Sequence, residues 1–264
     1  MVDAAAPSSP ADLFSVAGKT VVVTGGTRGI GHMIARGFVA GGATVVIASR
    51  KADAVAETAA ALSKFGSCTG IPADLSTEEG ARGLAEAVGA NHARVDVLVN
   101  NAGATWGAPL EEHDAQTWAR VLDLNVEGVF HTTKFFLPLL RAAGTLEDPA
   151  RVINIGSIDG IHVPALETYS YSASKAAVHQ LTRHLARQLA PIVTVNAVAP
   201  GPFESKMMAA TLEAFGEQIA AAAPLKRIGR PDDMAGVALF LASRAGSYVT
   251  GAVIPVDGGI ATTA

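Results

Sequence analysis

The feature that most constrains this chain is its alternation of short β-branched runs with longer helical stretches. The runs are apolar throughout, as strands of a parallel sheet covered on both faces are. They lie at Lys19–Thr24, Thr44–Ala48, Val95–Asn100, Arg151–Gly156, Val193–Ala199 and Ala252–Val256, with a weaker one at Ser67–Ile71.

Amphipathic stretches separate these runs, and strand–helix repetition of this kind predicts an α/β fold with a doubly wound parallel sheet. The stretches are Ile30–Ala40, Ala52–Phe65, Glu78–Val88, Ala115–Leu140, Ser174–Leu189 and Asp232–Leu241. No linker, internal repeat or change of composition divides residues 18 to 260. We therefore predict one domain with helices on both faces of the sheet, spanning residues 18–264.

The composition excludes several classes of protein. Hydrophobic residues make up 49% of the 264 residues and charged residues only 17%, which is too apolar for a disordered chain. The formal net charge of −4 lacks the basic excess of a nucleic-acid-binding protein. The single cysteine, Cys68, excludes an intrachain disulfide and is expected in the core.

The N-terminal residues differ in composition from the rest. Met1–Pro10 is rich in Ala, Pro and Ser, carries Asp3 where a secretory signal has basic residues, and lacks the signal's apolar stretch. We predict a flexible extension over residues 1–17. No apolar run approaches the ~20 residues of a membrane span, so we expect a soluble, cytoplasmic protein without a membrane or nucleic-acid partner.

One segment interrupts the alternation. Pro202–Pro224 follows the run at Val193–Ala199 and carries an apolar set spaced about one helical face: Phe203, Met207, Met208, Leu212, Phe215 and Ile219. Ligands of open α/β sheets bind beyond the carboxyl ends of the strands. We therefore predict a helical lid over residues 202–224; the alternative is a helix packed on the core.

A glycine-rich turn follows the first strand directly. Its sequence is Thr24-Gly25-Gly26-Thr27-Arg28-Gly29-Ile30-Gly31, and a helix begins there. Glycines at 25, 29 and 31 allow a tight turn and a close backbone approach to a diphosphate, to which the helix offers unpaired N–H groups. Placement at the first strand–helix junction favours a dinucleotide site over a tight turn without a ligand.

The end of the second strand indicates which dinucleotide binds. NAD sites usually place an acid about 20 residues after the glycine turn, on the ribose 2′-hydroxyl. Here the strand ends Ala48-Ser49-Arg50-Lys51, without an acid. The guanidinium of Arg50 suits a 2′-phosphate, and Arg28 adds positive charge to the turn. Both could be ordinary surface cations, but together they predict NADP(H).

Tyr171 and Lys175 lie four residues apart at the start of a helical stretch and project from one face. Free tyrosine, with a pKa near 10, is a poor acid or base at neutral pH. An ammonium ~5 Å away at an effective dielectric of ~20 contributes roughly 3 kcal/mol, or about two pKa units. We expect Lys175 to lower the pKa of Tyr171, although burial opposes this. Tyr169 and Tyr248 have alanine at the corresponding position.

Two further polar residues complete the predicted constellation. Ser157 follows a strand in Asn154-Ile155-Gly156-Ser157, which places its hydroxyl at a carboxyl end, where it could donate a hydrogen bond to a carbonyl oxygen. Asn125 lies within a long predicted helix, where asparagine is unfavourable. The alternative for Asn125 is a solvated helix residue.

Taken together, these motifs resemble the short-chain dehydrogenases/reductases. The resemblance rests on the glycine turn, Asn100-Asn101-Ala102-Gly103, Asn125, Ser157, Tyr171-x-x-x-Lys175 and Pro200-Gly201, in the family's order and spacing. It covers nearly all of the chain after residue 17 and implies a single-domain Rossmann-type fold.

The resemblance also implies roles for individual residues. Tyr171 would be the general acid/base, Lys175 would lower its pKa and hold the nicotinamide ribose, Ser157 would polarise the carbonyl and Asn125 would anchor a water relay. Implied cofactor contacts are Gly25, Thr27, Arg28, Gly29, Ile30, Gly31, Ser49, Arg50, Asp74, Leu75, Asn101, Ala102, Gly103, Pro200 and Gly201. The closing Asp257-Gly258-Gly259 segment resembles one that commonly takes part in a homotetramer. No metal site is predicted.

Within the family, three segments most resemble the 3-oxoacyl reductases associated with rhamnolipid synthesis. They are Asn154-Ile155-Gly156-Ser157, Ala102–Gly107 and Asp148-Pro149-Ala150-Arg151. Reductases of fatty-acid synthesis carry basic residues before the serine-bearing strand and before the Pro-Gly strand, where they hold an acyl carrier protein. Asp148 and Ala190-Pro191 occupy those places here, which counts against carrier docking and leaves the chemistry unchanged.

The sequence therefore predicts an NADPH-dependent oxidoreductase that reduces a 3-oxoacyl or similar lipophilic ketone to a secondary alcohol. One alternative is a dehydrogenase of a sugar, steroid or other secondary alcohol, which would use the same residues in reverse. Another is a non-catalytic NADPH-binding regulator, against which the intact catalytic set argues. The predicted substrate contacts are Trp106, Asp159, His162, Phe203 and Met207, and the polar Asp159 and His162 are unusual for a purely acyl pocket.

Overall fold

A computed structural model describes residues 9–205 and 208–263, apart from the side chain of Ala210. Within these residues the strands are β1 (Thr20–Thr24), β2 (Thr44–Ser49), β3 (Cys68–Pro72), β4 (Val97–Asn100), β5 (Ala150–Ile155), β6 (Val193–Pro200) and β7 (Val253–Val256). They form a single parallel sheet in the order β3-β2-β1-β4-β5-β6-β7. The predicted doubly wound fold is confirmed.

Helices connect the strands, and their ends fall within a few residues of most predicted boundaries. In the described part of the chain they are α1 (Pro10–Leu13), α2 (Gly29–Ala40), α3 (Ala52–Leu62), α4 (Glu78–Gly89), α5 (Ala115–Leu122), α6 (Gly128–Ala143), α7 (Tyr169–Leu189), α8 (Ala209–Ala222), α9 (Pro231–Ala242) and α10 (Ile260–Thr263). None of these described helices is long and apolar enough to cross a membrane.

The sheet buries apolar side chains on both faces, which explains why its strands are mostly apolar. On one face Val21 and Val23 of β1 pack with side chains of α2 and α9, among them Phe38 and Met234. On the other face Val22 packs with side chains of α4 and α6. Alternate residues of one strand thus enter two different cores, and the sheet becomes a rigid platform for the loops at its ends.

The helical stretch predicted over Ala115–Leu140 is continuous in the structure, from Ala115 to Ala143, but it contains a π-helical turn that the sequence pattern did not indicate. Helix α5 begins with a capping box, in which Asp114 accepts a hydrogen bond from the Thr117 amide at 2.8 Å. A π-helical turn over Asp123–Glu127 then separates α5 from α6. Such a turn holds an extra residue and often marks a functional site. Here it contains Asn125, whose side chain it directs into the protein.

Packed structure also begins earlier than the predicted boundary at residue 18. Ser9 caps helix α1, and Val16 is only 2% exposed in the core on the α2 side of the sheet. Residues 1–8 of the predicted extension lie outside the described residues, and their flexibility stays a prediction.

The connection from β3 to β4 crosses over β2 and β1, so the chain winds outward from β1 in both directions. Loops that leave β1 and β4 therefore separate to opposite faces of the sheet, and a crevice opens between them at the carboxyl edge. This is the position where open α/β sheets bind their ligands.

Candidate active site

The glycine turn after β1 forms one wall of the crevice. Gly25 and Gly29 have φ values of +65° and +53°, a region that L side chains rarely adopt. A Cβ atom on Gly25 would also lie only 2.7 Å from Nδ2 of Asn101. Arg28, at the N-cap of α2, makes no side-chain capping hydrogen bond. No side chain at the N-cap therefore bonds the first amides of α2, and these N–H groups can bind an anion.

Thr24 ties this turn to the loop after β4. Its hydroxyl accepts hydrogen bonds from the amides of Asn101 and Ala102 at 2.9 and 3.0 Å and donates to the Val99 carbonyl at 3.2 Å. The Asn101 side-chain amide donates to the Thr24 carbonyl at 2.8 Å. Asn101 therefore fixes the turn with its side chain, and the exposed Gly103 leaves the loop open to the crevice.

Positive charge lies at the end of β2. Arg50 is exposed just beyond Ser49, and no carboxylate of the described residues forms an ion pair with it. Burial would raise the pKa of Asp74, but hydrogen bonds from Ser76 and the charge of Arg50 lower it overall. Arg50 and an ionised Asp74 thus share this end of the crevice, while Leu75 is buried.

Other predicted cofactor contacts lie around the same crevice. Thr27 and Ile30 are half-buried in the glycine turn, and Ile30 packs against the core. Gly31 is buried, and a Cβ atom there would overlap the Gly25 carbonyl, so this position requires glycine. Pro200 ends β6, and Gly201 donates to the Val256 carbonyl at 3.0 Å. The uncapped helix start, the glycine cradle and the unpaired Arg50 fit a phosphorylated dinucleotide.

Asn125 is buried, at 1% exposure, so it is not a solvated helix residue. Its amide donates to the Ala104 carbonyl and to Oγ of Ser174, both at 2.9 Å, and its oxygen accepts from the Ala104 amide at 2.8 Å. The side chain therefore clamps the loop after β4 to helix α7. The water relay that the resemblance implies for Asn125 stays a prediction.

Helix α7 brings Tyr171 and Lys175 to the same edge of the sheet. The Lys175 ammonium donates to the Ile155 carbonyl at 2.8 Å, at the end of β5. It lies 5.5 Å from the centre of the Tyr171 ring. Lys175 is buried, whereas Tyr171 is partly exposed to the crevice.

The expected lowering of the tyrosine pKa was wrong. Burial raises the pKa of Tyr171 to about 12; a hydrogen bond with Ser157 opposes this change, and the Asp159 carboxylate adds to it. Burial also lowers the pKa of Lys175 to about 8, against the attraction of Asp159. The loss of hydration sets the direction of the shift, and the Lys175 ammonium is not among the groups that oppose it.

Ser157 lies beside this pair, at 7% exposure, in the turn after β5. Its Oγ accepts a hydrogen bond from the Asp159 amide at 3.1 Å. A hydroxyl that accepts in this way keeps its own hydrogen free to donate. The structure thus places a hydrogen-bond donor, a phenol and an ammonium together at the carboxyl edge.

The predicted substrate contacts do not all face the crevice. Phe203 is 2% exposed in the core, and its ring lies against Gly229, where a Cβ atom would overlap it. The prediction that Phe203 forms a substrate wall was therefore wrong. Met207 lies outside the described residues. Trp106 is half-buried, with the Arg120 guanidinium 5.7 Å from its ring.

Polar groups follow Ser157 on the substrate side. Burial raises the pKa of Asp159, although His162 and Lys175 oppose this change. Asp159 is half-buried, and its carboxylate accepts no hydrogen bond from the described residues. The His162 ring nitrogen Nδ1 lies 2.9 Å from the Val163 carbonyl. These groups add polarity next to Tyr171.

Helix α8 covers a cleft of about 530 Å³. Ser205 at one end of this cleft approaches Gly29, since a Cβ atom on that glycine would lie 3.2 Å from Cβ of Ser205. The cleft therefore borders the glycine turn. Its lining residues are Glu204, Ser205, Ala209, Leu212, Glu213, Gly216, Glu217, Ala220 and Ile228.

The sequence analysis missed a buried polar network behind the site. Asn100 donates to Thr133 at 3.0 Å and to Asn154 at 2.9 Å, and Asn154 donates to Thr182 at 2.9 Å. This chain of bonds joins β4 and β5 to helices α6 and α7. Polar residues at the ends of otherwise apolar strands were the available signal.

Comparison with known proteins gives concordant matches. The family model described as "Enoyl-(Acyl carrier protein) reductase" matches residues 25–261. The rhamnolipids biosynthesis 3-oxoacyl-[acyl-carrier-protein] reductase of Pseudomonas aeruginosa is 51% identical over 250 residues, which are 93% of this chain and 97% of that protein. Galactitol 2-dehydrogenase (L-tagatose-forming) of Cereibacter sphaeroides is 40% identical, over 94% of this chain and 96% of its own length.

Solved structures agree with these matches. The Pseudomonas aeruginosa RhlG/NADP active-site complex superposes with a TM-score of 0.91 at 50% identity, covering 95% of this chain and 99% of that one. A gluconate 5-dehydrogenase from Burkholderia cenocepacia, in complex with NADP and tartrate, gives a TM-score of 0.90 at 30% identity, covering 97% and 100% of the two chains.

Proposed function

This chain belongs to the short-chain dehydrogenase/reductase family of oxidoreductases, and we propose that it reduces a 3-oxoacyl compound to the 3-hydroxy compound with NADPH. The observation that carries this proposal is the convergence of Ser157, Tyr171 and Lys175 beside the glycine turn. A relative with 51% identity is named as a 3-oxoacyl reductase, and a structure with 50% identity is an NADP complex.

Several groups of this chain fit NADPH. The uncapped amides of α2 and the Gly25–Gly29 turn suit the diphosphate, and exposed Arg50 suits the 2′-phosphate. Asp74 lies at the same end of the crevice, where it suits the adenine. When bound, NADPH supplies the hydride that reduces the carbonyl carbon.

The side chains of the protein handle the carbonyl oxygen. Ser157 donates a hydrogen bond to it: the Ser157 oxygen accepts from the Asp159 amide, which leaves the hydroxyl hydrogen for the substrate, and a carbonyl oxygen can only accept. Such a bond strengthens as negative charge develops on the oxygen. Tyr171 donates the proton that completes the alcohol. Lys175, held by the Ile155 carbonyl, keeps a positive charge beside this oxygen.

Tyr171 holds its proton at neutral pH, because burial raises the pKa of its phenol to about 12. The alkoxide that forms when a hydride reaches the carbonyl carbon is a stronger base than this phenolate, so transfer of the proton to it is favourable.

The surface supports delivery of the substrate without a carrier protein. Asp148 stands where carrier-dependent reductases have a basic residue, and it forms ion pairs with Lys19 and Arg151, both at 2.8 Å. Three glutamates, Glu204, Glu213 and Glu217, line the cleft under α8. The three glutamates would repel an acidic carrier, so we propose a free 3-oxoacyl ester or thioester as the substrate.

One observation favours a second candidate, the oxidation of a polyol or the reduction of a keto sugar. The carboxylate of Asp159 accepts no hydrogen bond among the described groups and is half-buried. A hydroxylated substrate would supply the missing donors. The galactitol dehydrogenase relative, at 40% identity, is consistent with this candidate.

A substrate panel separates the two candidates. We would follow NADPH oxidation with 3-oxo esters of increasing chain length and with keto sugars, and NADP reduction with the matching alcohols. Rising kcat/KM along the ester series supports the 3-oxoacyl proposal. Higher activity on keto sugars or polyols, with a flat chain-length profile, would establish the second candidate. Absence of activity on every ketone and alcohol would favour an NADPH-binding regulator.

We further propose a cytoplasmic homotetramer. Phe130 on α6 and Tyr248 before β7 are exposed, and all residues of the edge strand β7 remain half-exposed. Such features suit burial against other subunits.

The proposed cytoplasmic location rests on the cofactor, because NADPH is a nucleotide of the cell interior. Light scattering of the purified protein and cell fractionation test these two points.

A further inference from the structure

His179 lies under the turn that carries Ser157. It is on α7, one helical turn after Lys175, and is only 4% exposed. A Cβ atom on Gly156, the residue before Ser157, would overlap Nε2 of His179. At the other end of the turn, a Cβ atom on Gly160 would lie 2.9 Å from Cε1 of His179. Both glycines that bound the turn thus lie against one imidazole.

The hydrogen bonds of this turn do not fix its distance from α7, so packing against the helix determines that distance. Gly156 donates to the Val198 carbonyl at 2.7 Å, and Gly160 donates to the Ser157 carbonyl at 3.1 Å. The Asp159 amide donates to Oγ of Ser157. These bonds run within the turn or to β6. At its Gly160 end the turn also lies against the α7 backbone at Lys175 and Ala176, whereas at its Gly156 end, next to Ser157, the imidazole of His179 is the nearest part of α7.

The imidazole is neutral at neutral pH. Burial lowers the pKa of His179 to about 4, with the charges of Lys175 and Arg183 adding to this effect and the Gly160 backbone opposing it. Among the described residues, Nε2 has no hydrogen-bond partner. A buried polar atom without a partner is unfavourable, and an aliphatic side chain would fill the same space without that penalty.

We propose that His179 is a positioning residue that sets the height of the Ser157 turn above α7 and so aligns the Ser157 hydroxyl with the Tyr171 phenol. This inference rests on the proposed function, because it assumes that Ser157 binds the reacting oxygen. A shift of a fraction of an ångström is sufficient to weaken such an alignment. His179 would thus act on turnover and leave nucleotide binding unchanged.

The test is a double-mutant cycle between His179→Ala and Ser157→Ala. We expect His179→Ala to lower kcat about tenfold, with KM for the ketone and Kd for NADPH nearly unchanged. His179→Gln, whose amide can reach the same space, should recover most of the loss. In the Ser157→Ala background, His179→Ala should have no further effect on kcat. Val178→Ala is the matched control, because Val178 is buried on the same helix at 1% exposure.

The control should lower Tm and leave kcat unchanged. If His179→Ala behaves like the control, His179 only fills space and the inference is overturned. An equal loss of kcat with and without Ser157 also overturns it. If His179→Ala fails to fold, the same cycle with His179→Val decides, because valine is shorter than histidine, gives up the contact with Gly156 and leaves a smaller cavity than alanine. An unaffected Ser157→Ala would overturn the role of Ser157 itself, which distinguishes failure of the proposed function.

Discussion

Helices α7 and α8 differ in their environments: α7 carries Tyr171 and Lys175, and α8 lines the cleft that borders the glycine turn. Helix α7 buries seven residues: Ser170, Ser174, Lys175, Val178, His179, Thr182 and Ala186. Helix α8 buries none of its described side chains, and its Phe215 is 56% exposed. One helix is held by a face of packed and hydrogen-bonded groups, and the other rests over a cleft.

The difference separates chemistry from substrate selection. Groups that transfer protons must stay within tenths of an ångström of their partners, and the buried face of α7 provides that rigidity. A segment with few buried contacts opens at low free energy, as a lid must. We therefore propose that α7 determines turnover and that α8 determines which substrate enters.

The largest effect should come from α7. Tyr171→Phe removes the proton donor and should lower kcat by about 10²–10⁴-fold, while NADPH still binds. Tyr169→Phe is the control, because this tyrosine is exposed and its hydroxyl bonds, among the described residues, only Glu167, at 3.3 Å. Turnover assays with fluorescence titration of NADPH measure both effects. Near-wild-type turnover of Tyr171→Phe would show that another group is the acid.

Phenylalanines of the predicted lid should differ in their effect on stability. Phe203→Ala empties a core site and should lower the free energy of unfolding by roughly 3–5 kcal/mol. Phe215→Ala, on α8, should change it by less than about 0.5 kcal/mol, because the ring is exposed. Urea denaturation measures both. If both substitutions change the free energy of unfolding by similar small amounts, Phe203 is not a core residue and belongs to the predicted lid.

The preference for NADPH over NADH should depend on Arg50 at the end of β2 and not on helix α7. Arg50→Ala should weaken NADPH binding roughly ten- to a hundredfold and NADH binding much less, since only the 2′-phosphate contact is lost. Lys51→Ala, the exposed neighbouring cation, is the control and should have little effect. Kd values for both nucleotides are the measurement. Equal losses for both would show that Arg50 only stacks on the adenine.

A smaller effect should come from α8. Leu212→Ala removes an apolar lining group of the cleft and should flatten the dependence of kcat/KM on chain length, which is worth up to about 0.8 kcal/mol per buried methylene. Gln218→Ala, exposed on the same helix outside the cleft, should leave the profile unchanged. A 3-oxo ester series measures this. An unchanged profile in Leu212→Ala would place the acyl chain elsewhere.

The smallest effect should be a change in pH dependence. Reduction needs the Lys175 ammonium, whose pKa of about 8 predicts a fall in kcat/KM above that pH. The Asp159 carboxylate raises the pKa of both Lys175 and Tyr171. Asp159→Asn should therefore move the alkaline limb to lower pH. A limb that stays in place would mean that Asp159 does not act on this pair.

Local patterns predicted the elements and the order of the motifs. Strands buried on both faces are mostly apolar, so runs such as Thr44–Ala48 could be located from their hydrophobicity alone. The turn from Gly25 to Gly29 needs backbone conformations that glycine provides, so the position of this turn after β1 could also be predicted from the sequence. Spacing of four residues put Tyr171 and Lys175 on one helical face.

Only the tertiary structure determined the pKa values at the site and the residues that pack behind the catalytic side chains. Whether Lys175 or burial controls the pKa of Tyr171 depends on how much water the folded chain removes, and spacing carries no information on that. The inward turn of Asn125 arises from a π-helical insertion, and the burial of Phe203 arises from its contact with Gly229. His179 meets Gly156 across 23 residues of chain, because long-range packing is settled only when helix and sheet come together.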